Sequence, residues 1–322
     1  MTIREALAQN SAELKAAGID TPSLDASLLL AHILNTNRTA LTAMGNDPLS
    51  EESSAVLRAL TDRRKKGECT AYILGKKEFR ALEFLVNPSV LVPRPDTETL
   101  VEAALEVIVG SGNRGVGSGE WGVGNNGYRV LDLCTGSGAV AISLKNEMPA
   151  LEVWATDISD EALETAKKNA AILLPANSIQ FFQGDLYNAL PIPPSPLPTP
   201  NSPLPTPHSL LPTPHSPNPT PSFSLIVCNP PYIPADEMRG LPAEVRNEPS
   251  LALDGGEEGM AIIRRVIEGS AERLKRGGAL LLEADPRQME KIAFLLEKWG
   301  FSNIKLYRDL SGKERVIGGI HE

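Results

Sequence analysis

The stretch Asn229-Pro230-Pro231-Tyr232 closes the apolar, partly β-branched run from Ser224 to Cys228. The side-chain oxygen of Asn229 and the carbonyl of Pro230 are two acceptors that can converge on one point. A planar NH₂ group presents two donors to such a pair. Tyr232 offers a flat apolar surface beside it, and the two prolines remove backbone freedom. An amide or aromatic amine nitrogen is a poor nucleophile because its lone pair is delocalised. Two hydrogen bonds accepted from its protons localise that pair and aim it at an electrophile. Both bonds strengthen as positive charge develops on nitrogen, which is the differential binding that catalysis requires. No histidine is placed to act instead. His32 lies in a helical region, His208 and His215 in a proline-rich stretch and His321 near the tail, so a histidine triad or general base is disfavoured.

A second group of residues could hold a nucleotide-like ligand. In "VLDLCTGSGAVAIS", a strand, a glycine turn and a helix present backbone N–H groups. Gly136, Gly138 and Ala141 also satisfy the dinucleotide pattern G-x-G-x-x-A, so the turn alone does not choose between ligands. Asp132 precedes Gly136 on the strand. An acid there is usual in enzymes that bind S-adenosylmethionine, where it orients the loop or meets the ligand's ammonium. Asp157 ends "VWATD" and can accept both hydroxyls of a ribose. A helix cap is the competing role, but Ser159 already supplies one. Asp185, in "FFQGDLY", could accept an adenine amine or close a local turn on its own backbone.

The elements that must position these residues follow from periodicity. Residues 1 to about 66 carry leucines at helical spacing, with breaks at Gly18, Thr21 and Pro48. "AYILGKKEFRALEFLVNPSVLVPRP" reads as a β-hairpin with its turn at Asn87-Pro88. From Asp96 onward strands and helices alternate, and "FSNIKLYRD" and "ERVIGGI" close the series as a pair of strands. Such alternation predicts a mostly parallel sheet covered by helices on both faces. The division expected is a helical domain over 1–75, a hairpin linker over 76–95 and an α/β domain over 96–322. Two low-complexity segments interrupt the last: a glycine-rich one at 110–127 and a proline-rich one at 191–222. The proline-rich one holds 14 of the chain's 27 prolines. It enters its strand from the end opposite the ligand face of an open sheet and reads as a tolerated insertion.

Bulk properties narrow the function classes. The chain has 322 residues, 42% hydrophobic and 22% charged, as a soluble globular protein has. No run is long and apolar enough to span a membrane, and the charged N-terminus lacks a secretory core. Cytoplasmic location and a monomeric state are expected. Cys69, Cys134 and Cys228 are scattered, so neither a zinc site nor a disulfide framework is supported and no metal is expected. The net charge of −9 argues against a protein that grips DNA. The one dense basic run, Arg63 to Lys66, reads as a solvated complement to a helix dipole.

In their order, "DLCTGSG", "ATD", "GDLY" and "NPPY" resemble a class I S-adenosylmethionine-dependent methyltransferase acting on a planar amino nitrogen. "LVPRPDTETLVE", Leu91 to Glu102, and the N-terminal helical region narrow the resemblance to the protein-(glutamine-N5) methyltransferases of peptide chain release factors. The resemblance implies a Rossmann-like sheet with a small N-terminal helical domain that recognises the protein substrate. It implies S-adenosyl-L-methionine as cofactor, leaving as S-adenosyl-L-homocysteine, and the glutamine of a Gly-Gly-Gln tip as methyl acceptor. Cofactor contacts would come from Asp132, Cys134, Thr135, Gly136, Ser137, Gly138 and Asp157. Asp185 and Leu186 would flank the adenine, and Asn229 would also touch the cofactor. Asn229, Pro230, Pro231 and Tyr232 would hold the glutamine amide. Cys134 stands where the family commonly has glycine, and Leu186 where an aromatic is frequent. A ribosomal-protein glutamine, or an adenine amino group in nucleic acid, is the alternative acceptor. "NPPY" alone is shared with adenine-N6 methyltransferases.

Overall fold

The computed structural model describes residues 1–112, 127–191 and 222–322. Nearly all of the glycine-rich and proline-rich segments read from the sequence therefore lies outside the described residues.

Five helices open the chain: α1 (Ile3–Ala16), α2 (Pro22–Ile33), α3 (Arg38–Ala43), α4 (Glu51–Lys65) and α5 (Thr70–Leu74). Helix α1 starts with a capping box, in which Thr2 Oγ1 accepts from Glu5 N and the Glu5 carboxylate accepts from Thr2 N. Asn37 and Ser50 cap α3 and α4 in the same sense. Leu29, Leu30, Leu41 and Leu57 meet Ile3 and Ile73 in a small core of their own.

The basic run at the end of α4 departs from its expected role. Arg64 is 5% exposed. Its Nε bonds Asp25 Oδ2 at 2.7 Å and its second arm bonds Glu244 Oε2 at 2.7 Å. Helical spacing turns Arg64 inward onto α2, where Asp25 is equally buried, so solvation is not what this arginine does. Arg64→Ala is expected to cost about 3–5 kcal/mol, because it strands a buried carboxylate. Lys65→Ala is expected to change stability by less than about 0.5 kcal/mol. Chemical denaturation of the two variants measures the contrast.

The hairpin also differs from its expected form. Thr70–Leu74 is helical and Gly75 ends it at φ 71°. Strands β1 (Lys76–Phe79) and β2 (Leu82–Leu85) then pair antiparallel around Arg80-Ala81, not around Asn87-Pro88. Both turn residues adopt positive φ, 47° and 58°. Two positive φ values give the turn whose twist suits a tight hairpin, but neither residue is the glycine or asparagine that signals it. Arg80 is held by ion pairs to Glu147 and Glu102. Asn87 instead anchors the next loop, donating to Thr165 Oγ1 at 2.9 Å.

The remaining elements are α6 (Glu98–Gly112), β3 (Arg129–Leu133), α7 (Ala139–Glu147), β4 (Glu152–Asp157), α8 (Asp160–Leu173), β5 (Ile179–Gln183), β6 (Phe223–Cys228), α9 (Ala243–Arg246), α10 (Ala261–Ser270), β7 (Leu274–Glu283), α11 (Met289–Lys298), β8 (Phe301–Arg308) and β9 (Glu314–His321). One seven-stranded sheet runs β5-β4-β3-β6-β7-β9-β8. Its first five strands are parallel, and β9 lies antiparallel between β7 and β8. Alternate residues serve opposite faces. Val130, Val153, Leu225 and Leu281 pack with α6 and α7, while Leu131, Ile226, Leu280 and Ile317 pack with α10 and α11. Burial on both faces is why these strands read as continuous apolar runs.

Candidate active site

The sheet reverses its build direction between β3 and β6, and at that switch point the carboxyl ends of neighbouring strands leave a crevice. Leu133 pairs with Thr156 on one side and Cys228 on the other. The loop from Cys134, the end of β4 and Asn229 therefore leave the sheet at one edge.

Asp132 organises the glycine loop. It is 1% exposed, and its Oδ2 accepts from Thr135 Oγ1 at 2.6 Å and from Ala141 N at 3.1 Å. Burial pushes its pKa up to about 7, against the pull of those two hydrogen bonds. The native state thus holds a proton that the unfolded chain releases near pH 4. This contribution to stability is complete below the unfolded pKa and is lost as pH rises through about 7. Between pH 4 and 7, Asp132→Asn is expected to gain stability relative to the unsubstituted protein, by up to about 1.4 kcal/mol per pH unit. Urea titrations at several pH values measure that slope.

Cys134 adopts φ 58°, a left-handed conformation that glycine takes at less cost. Gly138 opens α7 at φ 82°, and a Cβ there would meet Ile142 Cδ1 at 2.8 Å. Only glycine fits. Asp157 receives Gly136 N at 2.8 Å on Oδ2 and Ser159 N at 2.9 Å on Oδ1. Burial raises its pKa and the backbone bonds oppose the rise. Ser159 caps α8, accepting from Ala162 N. Asp185 pairs with Arg265 at 2.5 Å.

A cavity of about 270 Å³ opens over this edge. Asp132, Cys134, Thr135, Gly136, Ser137, Asp157, Asp185, Leu186, Asn229 and Pro231 all line it. Gly138, Pro230 and Tyr232 do not. A second cavity of about 270 Å³ is bordered by Tyr232, Asp96, Val245 and Leu253, and shares Leu91, Arg94, Asn229 and Ala252 with the first. Asn229 thus stands in the wall common to both.

The segment from Asn229 to Tyr232 is held from several sides. Asn229 Nδ2 donates to Thr97 Oγ1 at 3.2 Å, which leaves Oδ1 as the acceptor for a ligand. Gln288 Nε2 donates to the Tyr232 carbonyl at 2.9 Å. Gly259 lies so close that a Cβ would come within 2.0 Å of that carbonyl oxygen. Burial raises the Tyr232 phenol pKa. Glu248 is 5% exposed. It accepts from Val92 N at 3.2 Å and pairs with Arg94 at the cavity mouth. Asn169 joins the hairpin to the glycine loop, bonding Leu85 N, Leu85 O and Ser137 O.

Sequence reasoning missed Thr97 as a partner of Asn229, and missed Glu248, Gln288, Asn169 and Glu283. Thr97 falls within the legible "LVPRPDTETLVE", and the glycine cluster "LDGGEEG", whose Gly255 and Gly259 crowd the Pro231-Tyr232 backbone, carried a second readable signal.

A mostly parallel sheet with this switch-point cavity, glycine loop and strand-ending acid defines a class I methyltransferase. Residues 5–75 match the family model described as PrmC N-terminal domain, and residues 130–197 match a methyltransferase domain. The chain is 34% identical to the release factor glutamine methyltransferase of Moorella thermoacetica, over 98% of each chain. It is 36% identical to that of Vibrio cholerae, over 99% of this chain and 96% of the other. It is 35% identical to that of Deinococcus radiodurans, over 98% of each. The chain belongs to the release factor glutamine methyltransferase family. Among the described residues no helix is long and apolar enough to cross a membrane.

Proposed function

We propose that the protein is a cytoplasmic enzyme that transfers a methyl group from S-adenosylmethionine to the side-chain amide nitrogen, N5, of the Gly-Gly-Gln glutamine in peptide chain release factors. One observation carries the reading: Asn229 belongs to the walls of both cavities, with its nitrogen committed to Thr97.

The residues present fit the cofactor. A Cβ built on Gly136 meets nothing within 4 Å, so the bare backbone leaves room for a ligand to approach. The carboxylate of Asp157 already takes two backbone N–H bonds and retains lone pairs for a diol. Leu186, 8% exposed at the cavity wall, gives an apolar surface for a base. When bound, S-adenosylmethionine supplies an electrophilic methyl group on sulfur.

The chain's own part is to hold the acceptor amide. Asn229 Oδ1 and the Pro230 carbonyl accept its two N–H bonds and turn the nitrogen lone pair toward the first cavity. Tyr232 supports the plane of the amide from the second. The amide nitrogen keeps its protons until the N–C bond forms, after which one leaves to solvent. No strong base is required beforehand.

The test uses labelled S-adenosylmethionine with a release factor, and with the same factor carrying Gln→Ala at its Gly-Gly-Gln tip. Label in the first alone supports the reading. Label appearing instead in ribosomal protein or DNA keeps the transferase and replaces the substrate.

A further inference from the structure

Behind Asn229 lies a buried acid that borders neither cavity. Glu283 ends β7 and is 1% exposed. The Thr97 hydroxyl bonds its carboxyl group and pulls its pKa down against burial, yet its Oε2 has no partner. A buried acid this poorly satisfied is costly and calls for a reason.

The reason follows from the direction of the bonds. A carboxylate only accepts, so the Thr97 hydroxyl proton points at Glu283. Thr97 has one hydroxyl proton. With that proton spent on Glu283, Thr97 Oγ1 can only accept, and what it accepts is Asn229 Nδ2–H at 3.2 Å. An asparagine amide is nearly the same shape when turned over. Turned over, it would present NH₂ to the NH₂ of the acceptor glutamine, donor against donor, and the lone pair would lose its aim.

We propose that Glu283, acting through Thr97, is a positioning residue that fixes the polarity of the Asn229 amide, so that oxygen and not nitrogen faces the substrate. The proposal rests on the transfer reaction put forward above.

The charged and titratable neighbours of Glu283 are Asp96, Arg315 and Tyr232. Burial, with Asp96 adding to it, pushes its pKa up to about 7, against the Thr97 hydroxyl and Arg315. Protonation gives Glu283 a donor of its own, and the direction of the chain is then no longer enforced. Turnover therefore rises with pH as Glu283 ionises through about 7.

The experiment compares Thr97→Val, which keeps shape and loses the hydroxyl, with Thr97→Ser, which keeps the hydroxyl. Methyl transfer by the unsubstituted protein to the release factor is the control, and its absence would count against the transfer reaction alone. With transfer present, Thr97→Val is expected to lower kcat about ten- to hundredfold, the scale of outer-shell partners elsewhere. KM and cofactor Kd should stay within about threefold. Thr97→Ser should retain kcat within about threefold. Thr97→Val turning over like the unsubstituted protein, or Thr97→Ser failing equally, overturns the proposal. Glu283→Gln is expected to abolish the rise in turnover through about pH 7 that the unsubstituted protein shows. A pH profile that Glu283→Gln leaves unchanged overturns it as well. A readout independent of turnover is the ¹⁵N-resolved side-chain amide of Asn229 without substrate. Two separate, slowly exchanging protons are expected in the unsubstituted protein and Thr97→Ser, with faster exchange in Thr97→Val. Equal exchange in all three would sink the proposal.

Discussion

Asn229→Ala is expected to lower kcat for methyl transfer by about 10²–10³, the loss typical of removing one preorganised hydrogen-bonding group from a transition state. Such a loss corresponds to about 2.7–4 kcal/mol. The effect is large because the lost bond strengthens as the nitrogen turns positive, so it weighs on the transition state more than on binding. Cofactor Kd should stay within a few-fold, since Gly136, Asp157 and the loop between β3 and α7 are untouched. Stability should change little, because the amide is only half-buried and its one side-chain bond among the described residues is to Thr97. Single-turnover transfer to the release factor, beside cofactor titration, separates the two terms. A variant with unchanged kcat would remove Asn229 from the chemistry.

Asp157→Ala is expected to act on the other side of the wall. Its carboxylate holds Gly136 N and Ser159 N, so the substitution removes a ligand acceptor and also loosens the glycine loop. Hydrogen bonds to a charged group are worth about 1.5–3 kcal/mol, which corresponds to a cofactor Kd raised about ten- to 150-fold. At saturating cofactor, kcat should recover to within a few-fold. Calorimetric titration with S-adenosylhomocysteine measures the loss. An unchanged Kd would mean that Asp157 serves the loop and not the ligand.

Much of this fold was legible because its signals are local. Strands such as Val130–Leu133 and Leu225–Cys228 are buried on both faces and announce themselves as apolar runs. Ser159 marks a helix start by residue type. The glycine loop was legible because Gly136 and Gly138 take positive φ, 56° and 82°, which glycine adopts at least cost. What escaped was set by contacts distant in sequence. Arg64 sits in a run of four basic residues, and only its angular position on α4 sends it to Asp25, 39 residues away, and to Glu244, 180 away. The hairpin turn at Arg80-Ala81 uses two residues without turn preference, held by charge pairs to Glu102 and Glu147. Thr97 was visible as part of "PRPDTE", but its bond to Asn229 spans 132 residues. Residues that orient other residues leave no pattern at short range.

The placement of β9 bears on how the chain is made. In space β9 lies between β7 and β8, but in synthesis it follows both. Until β9 docks, the flank of β7 has no strand to pair with, and an open strand flank is a template for association with other chains. Arg315 arrives with β9, and with it the ion pairs to Asp96 at 2.9 Å and Asp309 at 3.0 Å. Asp96 sits beside Thr97, so the turn behind Asn229 lacks this tie until β9 is in place. A nascent chain that stops short of Glu314 therefore has the glycine loop and Asn229 but not the finished wall between the two cavities. The wall between the cavities is completed only once β9 has docked.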